Sequence, residues 1–237
     1  MELSTPAGAL RVVLPRRLSW ADIAGLRDRV GAAREGLLLL TGENGAFCEG
    51  GTLDAADTAE PRPEDFAALL RAIETAPVMV VALVDGPALG AGAGLAAAAD
   101  VVIATPRARF GLPETVMGLL PAMVFPALAR RLGVARARRL ALGAPPLPAE
   151  EALAQGLVDE IAEDGPAAAA RVARRLARQD PQAVSAFKRL VADHFGTAPA
   201  YETAAADALR ARWAAPETRQ RLARFAAGGA PWDGDDD

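Results

Sequence analysis

Val78-Met79-Val80-Val81-Ala82-Leu83-Val84-Asp85-Gly86-Pro87-Ala88-Leu89-Gly90-Ala91-Gly92-Ala93-Gly94 is the stretch that decides how the chain folds. Its first seven residues form an unbroken apolar run of strand length, closed by Asp85-Gly86-Pro87. A strand buried on both faces of a parallel sheet reads this way. The small residues at 90–99 predict a close-packed helix, and Val101-Val102-Ile103-Ala104-Thr105 a second buried strand. Upstream, Leu37-Leu38-Leu39-Leu40 runs into Thr41-Gly42-Glu43-Asn44-Gly45, a strand followed by its turn. Between these strands, residues 62–75 place Phe66, Leu69, Leu70 and Ile73 at helical spacing, with Pro63 suited to a helix start. Strands alternating with crossover helices make this part α/β. After Pro126 helices take over, at 126–132, 134–142, 149–155, 167–178, 183–194 and 200–214.

Composition removes several chemistries. The 237 residues are 51% apolar and 24% charged with a net charge of −4, a globular profile with ample core. The longest aliphatic stretch, at 78–84, is far below the roughly 20 residues of a membrane span. The start, Met1-Glu2-Leu3-Ser4-Thr5-Pro6, lacks a basic region followed by an apolar block, so no signal peptide is expected. A single cysteine, Cys48, excludes an internal disulfide and suits a cytoplasmic setting. One histidine, His194, with one cysteine cannot build a zinc site of the usual ligands, and no metal or cofactor is expected. Of Ser4, Ser19 and Ser185, none sits in a G-x-S-x-G turn, which argues against a Ser-His-acid triad. The only lysine, Lys188, follows Phe187 and no glycine loop. Basic residues are scattered in an acidic total, so nucleic acid is not an expected partner. Carboxylates, arginines and the backbone remain.

Two glycine-rich turns stand out. Gly45-Ala46-Phe47-Cys48-Glu49-Gly50-Gly51-Thr52-Leu53 follows the strand at Leu37, and Asp85 to Gly94 follows the strand at Val78. Three readings compete. The glycines can simply make turns and close packing. They can seat a dinucleotide, although the spacing is G-x-G-x-G and Thr105-Pro106 stands where an acidic residue would end the next strand. Or each turn can aim one backbone N–H at a carbonyl oxygen, forming an oxyanion hole.

The order and spacing of the turns resemble the enoyl-CoA hydratase (crotonase) superfamily. Phe47-Cys48-Glu49-Gly50-Gly51-Thr52-Leu53 is similar to its F-C-A-G-A-D-L turn, and 77–94 to its K-P-V-I-A-A-V-x-G-x-A-L-G-G-G segment. Asp100-Val101-Val102-Ile103-Ala104, Ala108-Arg109-Phe110-Gly111-Leu112-Pro113-Glu114 and the stretch from Leu147 to Val158 match further family pieces. The resemblance is close over 37–161 and looser in the helical tail. It implies a crotonase-like ββα spiral, an α/β fold, with a core at 1–180. A helical trimerisation region would follow at 181–237, ending in a frayed acidic tail.

Carried over by residue, the resemblance implies that the N–H groups of Gly51 and Ala91 hold a thioester oxygen. Ala91 would start a helix, whose dipole favours negative charge there. Hydratases of the family use two glutamates. The first position is Gly94 here, which has no side chain, and the second is Glu114. A lone carboxyl can still act as base and then as acid on one substrate face. The plainer reading of Glu114 is a carboxylate beside a helix start after Pro113. One-carboxylate relatives include Δ3,Δ2-enoyl-CoA isomerases. They also include dehydratases of polyketide β-branching cassettes, which remove water from a 3-hydroxy-3-methylglutaryl group on an acyl-carrier protein. The run from Glu114 to Pro126, Arg130-Arg131-Leu132-Gly133, Gly92-Ala93-Gly94 and Pro231-Trp232-Asp233 resemble the dehydratases. Expected partners are an acyl-carrier-protein or coenzyme A thioester and further copies of the chain, as a homotrimer or dimer of trimers. A non-catalytic scaffold that binds acyl thioesters is the rival from another class. Cys48 reads as packing beside the turn, and His194 as structural. Lys188 reads as a phosphate contact or a solvated helix residue. Arg130, Arg131, Arg136, Arg138 and Arg139 are candidates to meet an acidic carrier protein or to form an ordinary wet surface.

Overall fold

The computed structural model describes residues 9–34, 36–52, 61–176 and 178–228. Five parallel strands form the main sheet: β1 (Ala9–Val13), β2 (Leu37–Thr41), β3 (Met79–Val84), β5 (Val101–Ala104) and β8 (Glu160–Ile161), in the order β1-β2-β3-β5-β8. All five residues of β2 are buried, which is why its first four are leucines and do not alternate with polar residues. Its two faces still separate by period two. Leu38 and Leu40 join Val80, Ala82 and Val102 in the main core, while Leu37 and Leu39 join Val81, Leu83 and Ile103.

The first face is covered by α1 (Trp20–Ala32), α2 (Pro63–Thr75) and α3 (Ala91–Ala98). The second is covered by α7 (Gly165–Leu176), through Ala168, Ala169, Val172 and Ala173. A small second sheet holds β4 (Pro87–Leu89), β6 (Arg109–Gly111) and β7 (Leu147–Pro148), with β4 parallel to β6 and β6 antiparallel to β7. The chain therefore winds strand, short strand, helix: β3-β4-α3, then β5-β6 and on to α4 (Phe125–Leu132). This is the expected ββα spiral. The remaining helices are α5 (Val134–Ala141), α6 (Ala149–Ala154), α8 (Pro181–Phe195), α9 (Pro199–Ala214) and α10 (Pro216–Ala226).

Several elements go beyond the sequence reading. β1, α1 and α10 stand outside the expected elements, and α1 begins with a capping box in which Ser19 and Asp22 satisfy each other's backbone N–H. The acidic tail and the Pro231-Trp232-Asp233 ending lie outside the described residues, as does Leu53 of the first turn. Among the described residues, no helix is long and apolar enough to cross a membrane.

Candidate active site

The two glycine turns are sewn to each other. Phe47 and Cys48 donate their N–H groups to the Pro87 carbonyl at 2.9 and 3.1 Å, and the Leu89 N–H returns to the Cys48 carbonyl at 2.8 Å. Gly92, in the first turn of α3, lies against the same place: a Cβ on it would stand 2.0 Å from the Cys48 carbonyl oxygen. The helix can seat on the turn only because nothing projects from residue 92. Gly50 at φ 102° and Gly90 at φ 54° hold backbone conformations that suit glycine. The chain entering α1 fixes the far side, with the Leu18 N–H on the Gly50 carbonyl and the Thr52 N–H on the Leu18 carbonyl, both at 2.8 Å.

The result is that Gly51, between these bonded neighbours, and Ala91, first residue of α3, line one cavity of about 150 Å³. Neither N–H has an acceptor among the described residues. Unpaired donors at a helix N-terminus and at an adjacent turn form a place for negative charge.

Glu114 lines the same cavity. It stands at the head of a turn at 114–118 that belongs to no helix or strand, so the reading of a helix-start carboxylate is corrected. Its Oε1 is 3.1 Å from where a Cβ of Gly90 would lie, and its Oε2 is buried without a hydrogen-bond partner. Burial pushes this carboxyl up to about 7, against a smaller opposing pull from a backbone hydrogen bond. The walls around it are mostly apolar, among them Trp20, Phe66, Leu119, Val124, Leu209 and Trp213. Among the described residues no Lys, Arg or His lines the cavity. Gly94, the expected position of a first carboxylate, is backed by Val124: a Cβ there would fall 2.5 Å from Val124 Cγ1.

Other candidates fall outside the cavity. Cys48 is fully buried, and burial pushes its thiol up to about 11, the state of an inert packing residue. Lys188 is corrected on both of its readings. It is 6% exposed, and its Nζ binds Asp100 at 2.5 Å and the Val78 carbonyl at 3.0 Å, so it meets neither phosphate nor solvent. Arg131 donates to the Ala97 and Ala99 carbonyls at 3.0 and 2.7 Å, satisfying the C-terminal end of α3. Arg130 pairs with Glu74 and donates to Thr197 at 3.2 Å. Both arginines are thus engaged within the chain, while Arg136, Arg138 and Arg139 are exposed on α5. His194 is exposed on α8, its Nδ1 2.9 Å from the Leu190 carbonyl.

Sequence reasoning missed Trp20, Val124, Leu209 and Trp213 as site residues. Leu209 and Trp213 share one face of α9 at i, i+4, an available signal, but nothing in the sequence says which surface that face covers.

Residues 33–227 match the family model described as enoyl-CoA hydratase/isomerase. A probable enoyl-CoA hydratase of Rhodobacter capsulatus is 42% identical over 147 residues, which span 60% of this chain and 56% of that protein. The probable enoyl-CoA hydratase EchA17 of Mycobacterium tuberculosis is 34% identical over 232 residues, 94% of this chain and 83% of that one. Among solved structures, Bacillus subtilis pksH, an enoyl-CoA hydratase assigned to polyketide biosynthesis, superposes with a TM-score of 0.85. It is 20% identical over 94% of both chains, a likeness of fold alone.

Proposed function

Because the chain belongs to the enoyl-CoA hydratase/isomerase family, we propose that it removes water from a 3-hydroxyacyl thioester, with Glu114 as its one proton carrier. The observation that carries this reading is, among the described residues, a single buried carboxyl without a side-chain partner in the same cavity as the N–H groups of Gly51 and Ala91, which have no acceptor there. Those two donors would hold the thioester oxygen as it becomes an enolate. One such donor is typically worth about 2.7–4 kcal/mol of barrier. Glu114 as carboxylate would take the C2 proton, and as carboxylic acid it would return that proton to the departing C3 hydroxyl. One group can do both only if proton and hydroxyl leave from the same face, so the elimination is syn. A carboxyl lifted to about 7 by burial is suited to both halves of that exchange near neutral pH.

The substrate can be carried on coenzyme A or on an acyl-carrier protein. The lining favours an uncharged acyl chain. A 3-hydroxy-3-methylglutaryl group would bring a second carboxylate, and no cation lines the cavity among the described residues to receive it. The test is parallel incubation with an uncharged 3-hydroxyacyl-CoA, 3-hydroxy-3-methylglutaryl-carrier protein, a 3-enoyl-CoA and crotonyl-CoA, read by mass and by ultraviolet absorbance. The expected result is loss of one water from the uncharged 3-hydroxyacyl thioester. Conversion of the 3-enoyl-CoA alone would make the protein an isomerase. Binding with no exchange of the C2 proton into deuterated water would make it a scaffold.

We also propose that the chain assembles as a homotrimer or dimer of trimers. In support, α8 presents Phe187, Leu190 and Phe195 at 66%, 58% and 72% exposure along its length, a row of large apolar side chains with nothing over it in the single chain. Light scattering at micromolar concentration is expected to give three or six times the 24.5 kDa of one chain, and a single-chain mass overturns the assembly.

A further inference from the structure

Among the described residues the Glu114 carboxyl has no side-chain partner to orient it: its Oε2 is unbonded, its hydrogen bond is to its own backbone, and its walls are mostly apolar. Its direction is therefore inherited from its backbone. That backbone is a bare turn, closed on itself by the Val116 N–H on the Pro113 carbonyl at 3.1 Å and the Leu119 N–H on the Glu114 carbonyl at 2.8 Å. Thr115 ties the start of the turn to the Ala141 carbonyl at 3.3 Å, and its far end is held from about a hundred residues later in the chain.

Arg212, near the end of α9, donates its Nε to the Gly118 carbonyl at 2.9 Å. Thr218, early in α10, donates its hydroxyl to the same carbonyl at 3.2 Å and accepts from Arg212 Nη2 at 3.0 Å. Arg221 adds a bond from its Nη1 to the Val116 carbonyl at 3.2 Å. Thr218 has no exposed surface, and a Cβ on Gly118 would come within 2.9 Å of its hydroxyl, so turn and helix are matched to van der Waals tolerance. Met117 and Leu119 from the turn pack with Leu222, Leu209, Trp213 and Phe225 around this polar clasp.

We propose that Arg212 and Thr218 are positioning residues that set the height and direction of Glu114 through the Gly118 carbonyl. The proposal rests on Glu114 being the proton carrier. A displacement of about 1 Å in a reacting group can cost on the order of 100-fold in rate. Thr218→Val keeps the shape of the side chain and removes the hydroxyl. It is expected to lower kcat by roughly 10- to 100-fold at little-changed KM. It should also shift the titration of the Glu114 carboxyl in the free protein, followed by carbon NMR with labelled glutamate. Arg212→Ala should do the same, and Thr218→Ser should restore both signals. Thermal unfolding checks that each variant is folded. Wild-type kcat and wild-type titration in both Thr218→Val and Arg212→Ala would overturn the proposal, whatever their stability. If the parent protein converts no thioester, the reaction proposed above fails, while the titration still decides whether the clasp positions Glu114. An unshifted Glu114 titration in the two folded variants then overturns it.

Discussion

Glu114→Gln is expected to lower turnover by about three orders of magnitude while leaving the fold in place, since general acid–base groups contribute about 10²- to 10⁴-fold and this carboxyl is asked to serve twice. Glutamine can neither take the C2 proton nor return one to the leaving hydroxyl. Retention of the parental rate would remove Glu114 from the mechanism. The same variant carries a stability signature whose sign follows from burial. The folded Glu114 carboxyl titrates at about 7 against an ordinary value of 4.5, so the folded state binds more protons between those limits. Below pH 4.5 both states are protonated and the group adds no penalty. From pH 4.5 upward the unfolded carboxyl ionises while the folded one stays neutral, so stability falls until the folded group ionises too, levelling off above about pH 7 after a loss of about 3 kcal/mol. Glu114→Gln lacks this slope. Urea denaturation at pH 5 and pH 8 should therefore show the parent losing ground to the variant at the higher pH. For the elimination itself, which starts from the carboxylate, kcat/KM of the parent should rise with pH and level off above about 7.

Gly92→Ala is expected to be among the most damaging small changes in the described residues, and the one that acts directly on the seam between the two turns. The added methyl would sit 2.0 Å from the Cys48 carbonyl oxygen and 2.8 Å from its carbon, both backbone atoms that cannot rotate away. Relief requires α3 to lift off the first turn, which separates Ala91 from Gly51. Loss of at least about 3 kcal/mol, together with loss of activity, is the expected outcome. Gly25→Ala and Gly31→Ala provide the contrast, because each lies within α1 and a Cβ there would meet nothing within 4 Å. Those two should be neutral or gain up to about 1 kcal/mol from better helix propensity. Chemical denaturation of the three variants decides the matter. A Gly92→Ala protein as stable as the other two would show that the turns are not locked together.

The parts of the fold that could be read in advance are those where burial on both faces forces a continuous aliphatic run. β2, β3 and β5 are of this kind, and the proline-led helix expected at 62–75 is α2, Pro63–Thr75. β1 was illegible because its residues are mixed, with Arg11 in its centre and Leu10 39% exposed. β4, β6 and β7 are two or three residues long, too short for any period to register. At the candidate site, Gly51, Ala91 and Glu114 were legible as neighbours because the local motifs that carry the family resemblance contain them, and the three line one cavity. Leu209, Trp213, Arg212 and Thr218 were not, because what makes them matter is a docking of α9 and α10 on a turn far away in sequence. Lys188 shows the same limit. Its burial is offset by Asp100, 88 positions earlier, which also accepts the Val80 N–H at 2.7 Å.

The contact between Gly94 and Val124 makes acquisition of a second carboxylate an epistatic problem. Val124 is β-branched, 3% exposed and stiff, so a glutamate at 94 meets a side chain with little room to turn away. Shortening Val124 first leaves a void in the core beside Glu114, a change that typically costs stability on the order of 1–3 kcal/mol with no catalytic return. Each single step is a loss, and only the pair could be a gain. Mutational walks of one residue at a time are therefore held on the one-carboxyl side of a valley, and laboratory selection for hydration would have to sample both positions in the same library.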